Sequence, residues 1–169
     1  HGAITGAIAS LKGPLHGGAN EEVMRMLKKI KNPVNAKKWI LDALENKEII
    51  MGFGHRVYTK GDSRVPTMKK YYYMVAELLK EKKLPKISQI IEDVMIEKKD
   101  IHPNVDYPTG PTYHLMGFDT DFFTPIFVMS RITGWSAHII EQHASNKLIR
   151  PLSKYSGEKH RKVMPLNHR

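Results

Sequence analysis

Three titratable residues stand in settings suited to chemistry: His16 in GPLHGGAN, His55 in GFGHRV and Asp106 in NVDYPTG. Glycine or proline flanks each one, so each is expected in a turn between helices, where a scaffold can aim a side chain into a cleft. Imidazoles and carboxylates are the usual groups for moving protons at a reacting centre. The plainer reading of any one is an ordinary surface residue, and spacing alone does not bring the three together. Arg64, Arg131 and Arg150 raise the same alternatives, because ion pairing is the common employment of arginine. Arg131 interrupts the apolar run IFVMSRITGW, where a charge has to be paired or face a ligand.

The stretch MGFGHRVYTKGDSR, from Met51 to Arg64, joins one of these histidines to one of these arginines. Gly52 and Gly54 let the backbone come close to another group, which puts His55 on a bend whose amides are free to meet a ligand. The same GFG is no dinucleotide fingerprint, since the third glycine and the preceding strand are missing. Nine histidines invite a metal reading. His138 and His143 lie five apart, which does not stack two ligands on one helical face, and no metal site is expected.

The elements that must position these residues read as helices almost throughout. Small residues in HGAITGAIASLKGPLHGGAN describe a helix end running into a tight loop with His16. Asn20 is expected to cap EEVMRMLKKIK, with Met24, Leu27 and Ile30 buried. Asn35 opens AKKWILDALENK, with Trp39, Ile40 and Leu44 inward, and IIMGFGHRVY is a loop or a brief extended piece. VPTMKKYYYMVAELLKEKK predicts a long amphipathic helix with Met68, Tyr72, Val75, Leu78 and Leu79 on its inner side. ISQIIEDVMIEKK predicts another through Ile87, Ile90, Ile91, Val94 and Met95. Pro103 stops the chain before the turn at Asp106. DFFTPIFVMSRITGWSAHIIEQHASNK is the longest periodic segment, with Pro125 tolerable near its first turn, and the polar tail after Pro151 reads as extended.

Composition narrows the class. With 41% apolar and 26% charged residues, the chain is an ordinary globular one, and the absence of cysteine excludes disulfides and thiolate metal sites. No apolar run of about 18 residues is present to span a bilayer, and the first residues do not read as a signal peptide. The net charge of +10 comes largely from lysines between Lys28 and Lys99, mixed with glutamate on helical segments. That pattern describes a solvated face. No nucleic-acid recognition motif accompanies it, so neither nucleic acid nor membrane is expected as a partner.

Taken in order, GPLHGGAN, MGFGHRVY with D-x-R, NVD, TPIF with SRITGW, EQ with NKLIRP and a late basic-proline tail resemble the citrate synthases of the bacterial branch, including 2-methylcitrate synthases. The likeness runs through nearly the whole chain and concerns only the carboxy-terminal part of that family. Members are longer and begin with a helical region that has no counterpart here, so a fragment is expected, as the absent initiator Met also suggests. The resemblance implies an all-α fold: residues 1–17 and 113–169 in a large domain, residues 18–112 in a small helical domain that closes over substrate. It implies an acyltransferase of central carbon metabolism, homodimeric and cytoplasmic, that joins acetyl-CoA to oxaloacetate and hydrolyses the thioester. CoA thioester is then a substrate, and no tightly bound cofactor is expected. A 2-methylcitrate synthase using propionyl-CoA and a non-catalytic CoA-binding fragment are the alternatives.

By match of motif, the resemblance makes Asp106 the base that removes a proton from the acyl carbon. It makes His16 the hydrogen-bond donor to the thioester oxygen and His55 the group that protonates the keto oxygen. A carboxylate working beside an oxyanion donor is what carbanion formation next to a thioester requires. Arg64, Arg131 and Arg150 match the arginines that grip oxaloacetate, Arg150 by reaching into the partner subunit's site. Met51, Gly52, Phe53, Gly54 and Lys60 are the implied CoA contacts. Thr59 departs from a basic residue common in relatives, so Lys60 is expected to substitute for it. Ser63 departs from a proline in the D-P-R triplet, which is expected to loosen the turn presenting Arg64.

Overall fold

The computed structural model describes residues 1–58 and 60–169, and Thr59, expected near the CoA phosphates, lies outside them. The chain is all helical. The helices are α1 (Gly2–Leu11), α2 (Ala19–Lys29), α3 (Pro33–Glu45), α4 (Val65–Leu78), α5 (Lys83–Lys99), α6 (Asp106–Leu115) and α7 (Phe123–Ala144). Short 3-10 turns span Thr120–Phe122 and Leu166–His168. Extended pairing among the described residues is confined to a single antiparallel bridge between Phe53 and Pro103.

One core holds α2, α3, α5 and α6 together. Val23, Met24 and Leu27 from α2 meet Ile40 from α3, Ile87, Ile91 and Val94 from α5, and Tyr107 from α6. α6 packs against both α2 and α4, while α3 lies on α5. The approach of α6 to α2 is close because Gly110 has no side chain: a methyl group there would stand 2.6 Å from the Asn20 carbonyl oxygen. α1 instead packs on α7. α7 buries only Phe123, leaving Met129 at 73% and Ile140 at 71% exposed.

The structure corrects five sequence expectations about the helices and their faces. Asn20 lies within α2 and is buried, and Gly18 is the N-cap, because the loop's bond from the Gly18 N–H to the Gly13 carbonyl starts the helix earlier. Asn32, not Asn35, caps α3, accepting the Val34 N–H while Pro33 occupies the first turn. Leu78 and Leu79 point to solvent, and the buried stripe of α4 is Val65, Tyr72 and Ala76. Helical periodicity marked an apolar face there, but the face that packs against α6 and the core is the one through Val65, Tyr72 and Ala76. Asp106 is the first residue of α6 rather than part of a turn; Pro108 falls in that helix's first turn, where no intrahelical N–H is missed. Arg131 is exposed and needs no partner, since the apolar run around it is not buried.

Among the described residues, no helix is long and apolar enough to cross a membrane, and no group of three or more His, Asp or Glu could hold a metal ion.

Candidate active site

The bridge between Phe53 and Pro103 brings two distant loops into register. The Gly54 N–H donates to the His102 carbonyl, and the Asn104 N–H donates to the Gly52 carbonyl, each at 2.9 Å. Pro103 thereby occupies the non-hydrogen-bonded position, where its missing donor costs nothing. Asn104 ties the two loops further: its Nδ2 donates to the Gly54 carbonyl at 2.9 Å, and its Oδ1 accepts the Asp106 N–H at 3.0 Å. His55, next after Gly54, and Asp106, two after Asn104, are therefore delivered from one small knot. Gly52 is required in it. Its φ is +85°, and a methyl group there would stand 2.7 Å from Val23 and 2.9 Å from Tyr107, so the close approach is to the protein's own core.

Asp106 is the centre of this arrangement. Burial pushes its carboxyl up to about 6, against the opposing pull of His16, Arg64 and His55 and with a smaller upward push from Asp62. Both imidazoles and the guanidinium thus bear on the charge of one carboxyl group. The His55 ring packs at a tilt against Tyr58, with ring centroids 4.7 Å apart. Its Nδ1 accepts the N–H groups of Val57 and Tyr58 at 3.0 and 3.2 Å, so the ring proton resides on Nε2 and can be donated outward.

His16 sits in the α1–α2 loop, which Thr124 of α7 clamps by donating its hydroxyl to the Gly17 carbonyl at 3.2 Å. The ring meets Phe127 edge-on at 5.9 Å, and the Arg131 guanidinium lies over the other reach of Phe127 at 4.9 Å. Arg131 thus stands one aromatic ring away from His16. Arg64 lies at the start of α4, over the Tyr58 ring, and is held by Asp62 through Nε at 2.9 Å and Nη2 at 2.7 Å. Two of its five donors are used, and the remaining edge is open, the side chain being 47% exposed.

Met51, Gly52, Phe53 and Gly54 line an open cleft of about 410 Å³ together with His55 and Asn104. Lys60 is exposed and does not line it, and Arg150 lies exposed in the irregular segment after α7, with no hydrogen bond or ion pair to another side chain among the described residues. The structure therefore gathers His16, His55, Asp106 and Arg64, sets Arg131 beside His16 through Phe127, and leaves Arg150 outside.

Sequence reasoning missed Asp62 and Asn104. The D-x-R spacing was a signal for the first, because an aspartate two residues before an arginine can fold back on its backbone N–H. Asp62 does so, accepting the Arg64 N–H at 3.0 Å, so Ser63 leaves no loose turn. For Asn104 the signal was weaker: an Asn two residues before a helical Asp fits a capping position.

The fold and the ordered motifs define a family. A family model described as citrate synthase, C-terminal domain, matches residues 1–152, and the chain belongs to that family. It is 53% identical over 169 residues to 2-methylcitrate synthase 2 of Corynebacterium glutamicum, covering all of this chain and 44% of that protein. It is 52% identical over 164 residues to a citrate synthase of Mycolicibacterium smegmatis, covering 97% of this chain and 44% of that protein. Among solved structures, the citrate synthase of Thermoplasma acidophilum in ternary complex with carboxymethyl-coenzyme A and oxaloacetate is similar at TM-score 0.88 and 40% identity, covering 98% of this chain and 46% of that one. The chain thus spans less than half the length of these relatives.

Proposed function

We propose that the protein containing this chain condenses a short-chain acyl-CoA with oxaloacetate and hydrolyses the product thioester. The observation that carries the reading is the knot of hydrogen bonds that delivers His55 and Asp106 from two joined loops, with Arg64 tied through Asp62 to the start of the Asp106 helix, around a carboxyl group whose proton affinity burial has raised. In this reading the Asp106 carboxylate takes a proton from the carbon next to the thioester carbonyl, while His16 donates a hydrogen bond to the thioester oxygen as charge builds there. That carbon then attacks the keto carbon of oxaloacetate, and His55 gives its Nε2 proton to the keto oxygen. Water cleaves the thioester, releasing CoA as the thiol. A carboxyl with its affinity near 6 is a stronger base than an ordinary aspartate and is still mostly ionised at pH 7.

The open edge of Arg64 suits one carboxylate of the keto acid, with Arg131 assigned a second role there and Arg150 a role in a partner's site. The cleft along Met51–Gly54 suits the adenine end of CoA, with Lys60 toward its phosphates. CoA is here a substrate rather than a resident cofactor. The exposed apolar side chains of α7, Met129 and Ile140 among them, suit burial against the rest of a longer chain or a second copy, which supports a large-domain role for residues 113–169 and a homodimer; residues 1–17 in the large domain, a small domain at 18–112 and a cytoplasmic location are proposed from the family likeness alone.

Acetyl-CoA giving citrate is the lead reading. Propionyl-CoA giving 2-methylcitrate is the second, favoured by the likeness to the Corynebacterium protein. One methylene changes discrimination by only about 1–3 kcal/mol, so both substrates are expected to react. Comparing kcat/KM for the two thioesters ranks them. The mechanistic test is Asp106→Ala in the full-length protein: condensation should fall by at least about a thousandfold while oxaloacetate binding, read by calorimetry, is retained. Near-normal turnover by that variant overturns the assignment of the base.

A further inference from the structure

We infer that Asp62 is a positioning residue that locks Arg64 and the Asp106 helix into a single frame, so that substrate binding and the base are set by one buried carboxylate. The inference rests on the reading above.

The geometry is specific. The Asp62 side chain has no exposed surface, yet it carries an ionised group between two functional segments. Its Oδ1 accepts the Arg64 N–H at 3.0 Å and Arg64 Nε at 2.9 Å. Its Oδ2 accepts Arg64 Nη2 at 2.7 Å and, from the other segment, the Val105 N–H at 3.0 Å. Val105 is the N-cap of α6, and Asp106 is that helix's first residue. One carboxylate therefore fixes the orientation of the guanidinium and satisfies an N–H at the start of the helix that bears the base. A buried charge with four donors has little freedom to shift, so movement of Arg64 and movement of α6 are linked through it. The arrangement also satisfies the donor direction at both ends: a carboxylate is favoured at a helix N-terminus and beside a guanidinium alike.

The charge has a second consequence. The ionisable groups that bear on Asp106 are His16, Arg64, His55 and Asp62, with the Tyr113 phenol also near it, and Asp62 is the charged one among them that disfavours its ionisation. Neutralising Asp62 also frees Arg64 to turn toward Asp106, and both changes make Asp106 easier to ionise.

Two variants of the full-length protein separate the two attachments. Asp62→Asn weakens both. It should raise KM for oxaloacetate about tenfold or more, lower kcat by a similar factor, and move the acidic limb of the kcat profile to lower pH. Val105→Pro deletes only the helix-side donor at a residue whose φ of −61° suits proline. It should lower kcat with KM for oxaloacetate and the acidic limb unchanged. A purely structural Asp62 predicts a lower Tm with kcat and KM for oxaloacetate at wild-type values in both variants, and that result overturns the inference. NMR titration of the Asp106 carboxyl carbon, which needs no turnover, provides an independent reading. If the wild-type protein fails to condense acyl-CoA with oxaloacetate, the functional reading falls. The Asp62 inference is then decided by whether Asp62→Asn speeds hydrogen exchange at the Arg64 and Val105 amides together: faster exchange at both supports it, unchanged exchange refutes it.

Discussion

Asp106 lives in opposing environments, and the balance sets its behaviour. A position at the start of α6 and three nearby cationic or protonatable groups favour its charge, yet burial wins and its carboxyl rises to about 6. The folded value therefore lies above that of an unfolded aspartate, about 3.9. Between those values the folded protein holds the proton more tightly, so this residue's contribution to stability falls as pH rises from about 4 to 6 and stays unfavourable above. Asp106→Asn is accordingly expected to raise stability at pH 7.5 by roughly 1 kcal/mol after solvent screening, and by much less at pH 4. Thermal melts at the two pH values check the sign. In the same way the acidic limb of turnover is expected near pH 6 and should disappear from any residual activity of the Asn variant. Asp62 behaves oppositely: its hydrogen bonds to Arg64 hold its carboxyl down to about 2, a contribution present above about pH 4 and lost as pH falls toward 2.

At the scale of elements, the site depends on how closely α6 lies against α2 and how firmly the loops at Phe53 and Pro103 are joined. Gly110→Ala places a methyl group against the backbone carbonyl of Asn20, which cannot rotate away. Overpacking of about 1–3 kcal/mol is set against a helix-propensity gain of roughly 1 kcal/mol, and a net loss near 1 kcal/mol is expected from the shift of a urea midpoint. Tyr107 reinforces the same region. It is buried beside Asp106, packs at a tilt against Phe53 with centroids 4.5 Å apart, and donates its hydroxyl to the Ser88 carbonyl at 2.7 Å. Helix existence was legible here because the apolar periodicity of α2 and α5 matches the buried residues Met24, Leu27, Ile87 and Ile91. Boundaries were less so. Asn20 and Asn35 read as caps in the sequence, yet Asn20 lies inside α2 and Asn32 caps α3, because only the path of the chain into each helix decides which side chain meets a free N–H.

Across the whole molecule, burial is uneven. Helices α2, α3, α5 and α6 share one core, whereas α7 contributes Phe123 to it and the residues after Ala144 are exposed. Native-state hydrogen exchange on this chain is expected to show the slowest amides in α2, α5 and α6. Exchange faster by about a hundredfold or more is expected beyond the first turns of α7. Uniform protection along α7 contradicts that expectation.

The amino-acid order by itself determined the helical class, the buried stripes of α2 and α5, and the motif series that marks the citrate synthase family. These are local properties: periodicity, turn residues and short motifs are carried by neighbours in the chain. Only the tertiary structure decided that Leu78 and Leu79 face solvent, that Arg131 meets His16 through a shared ring, and that a buried Asp62 joins Arg64 to the Asp106 helix. Burial, desolvation and convergence depend on which distant segments come to pack together, and two loops some fifty residues apart meet here because a bridge at Phe53 and Pro103 holds them in register.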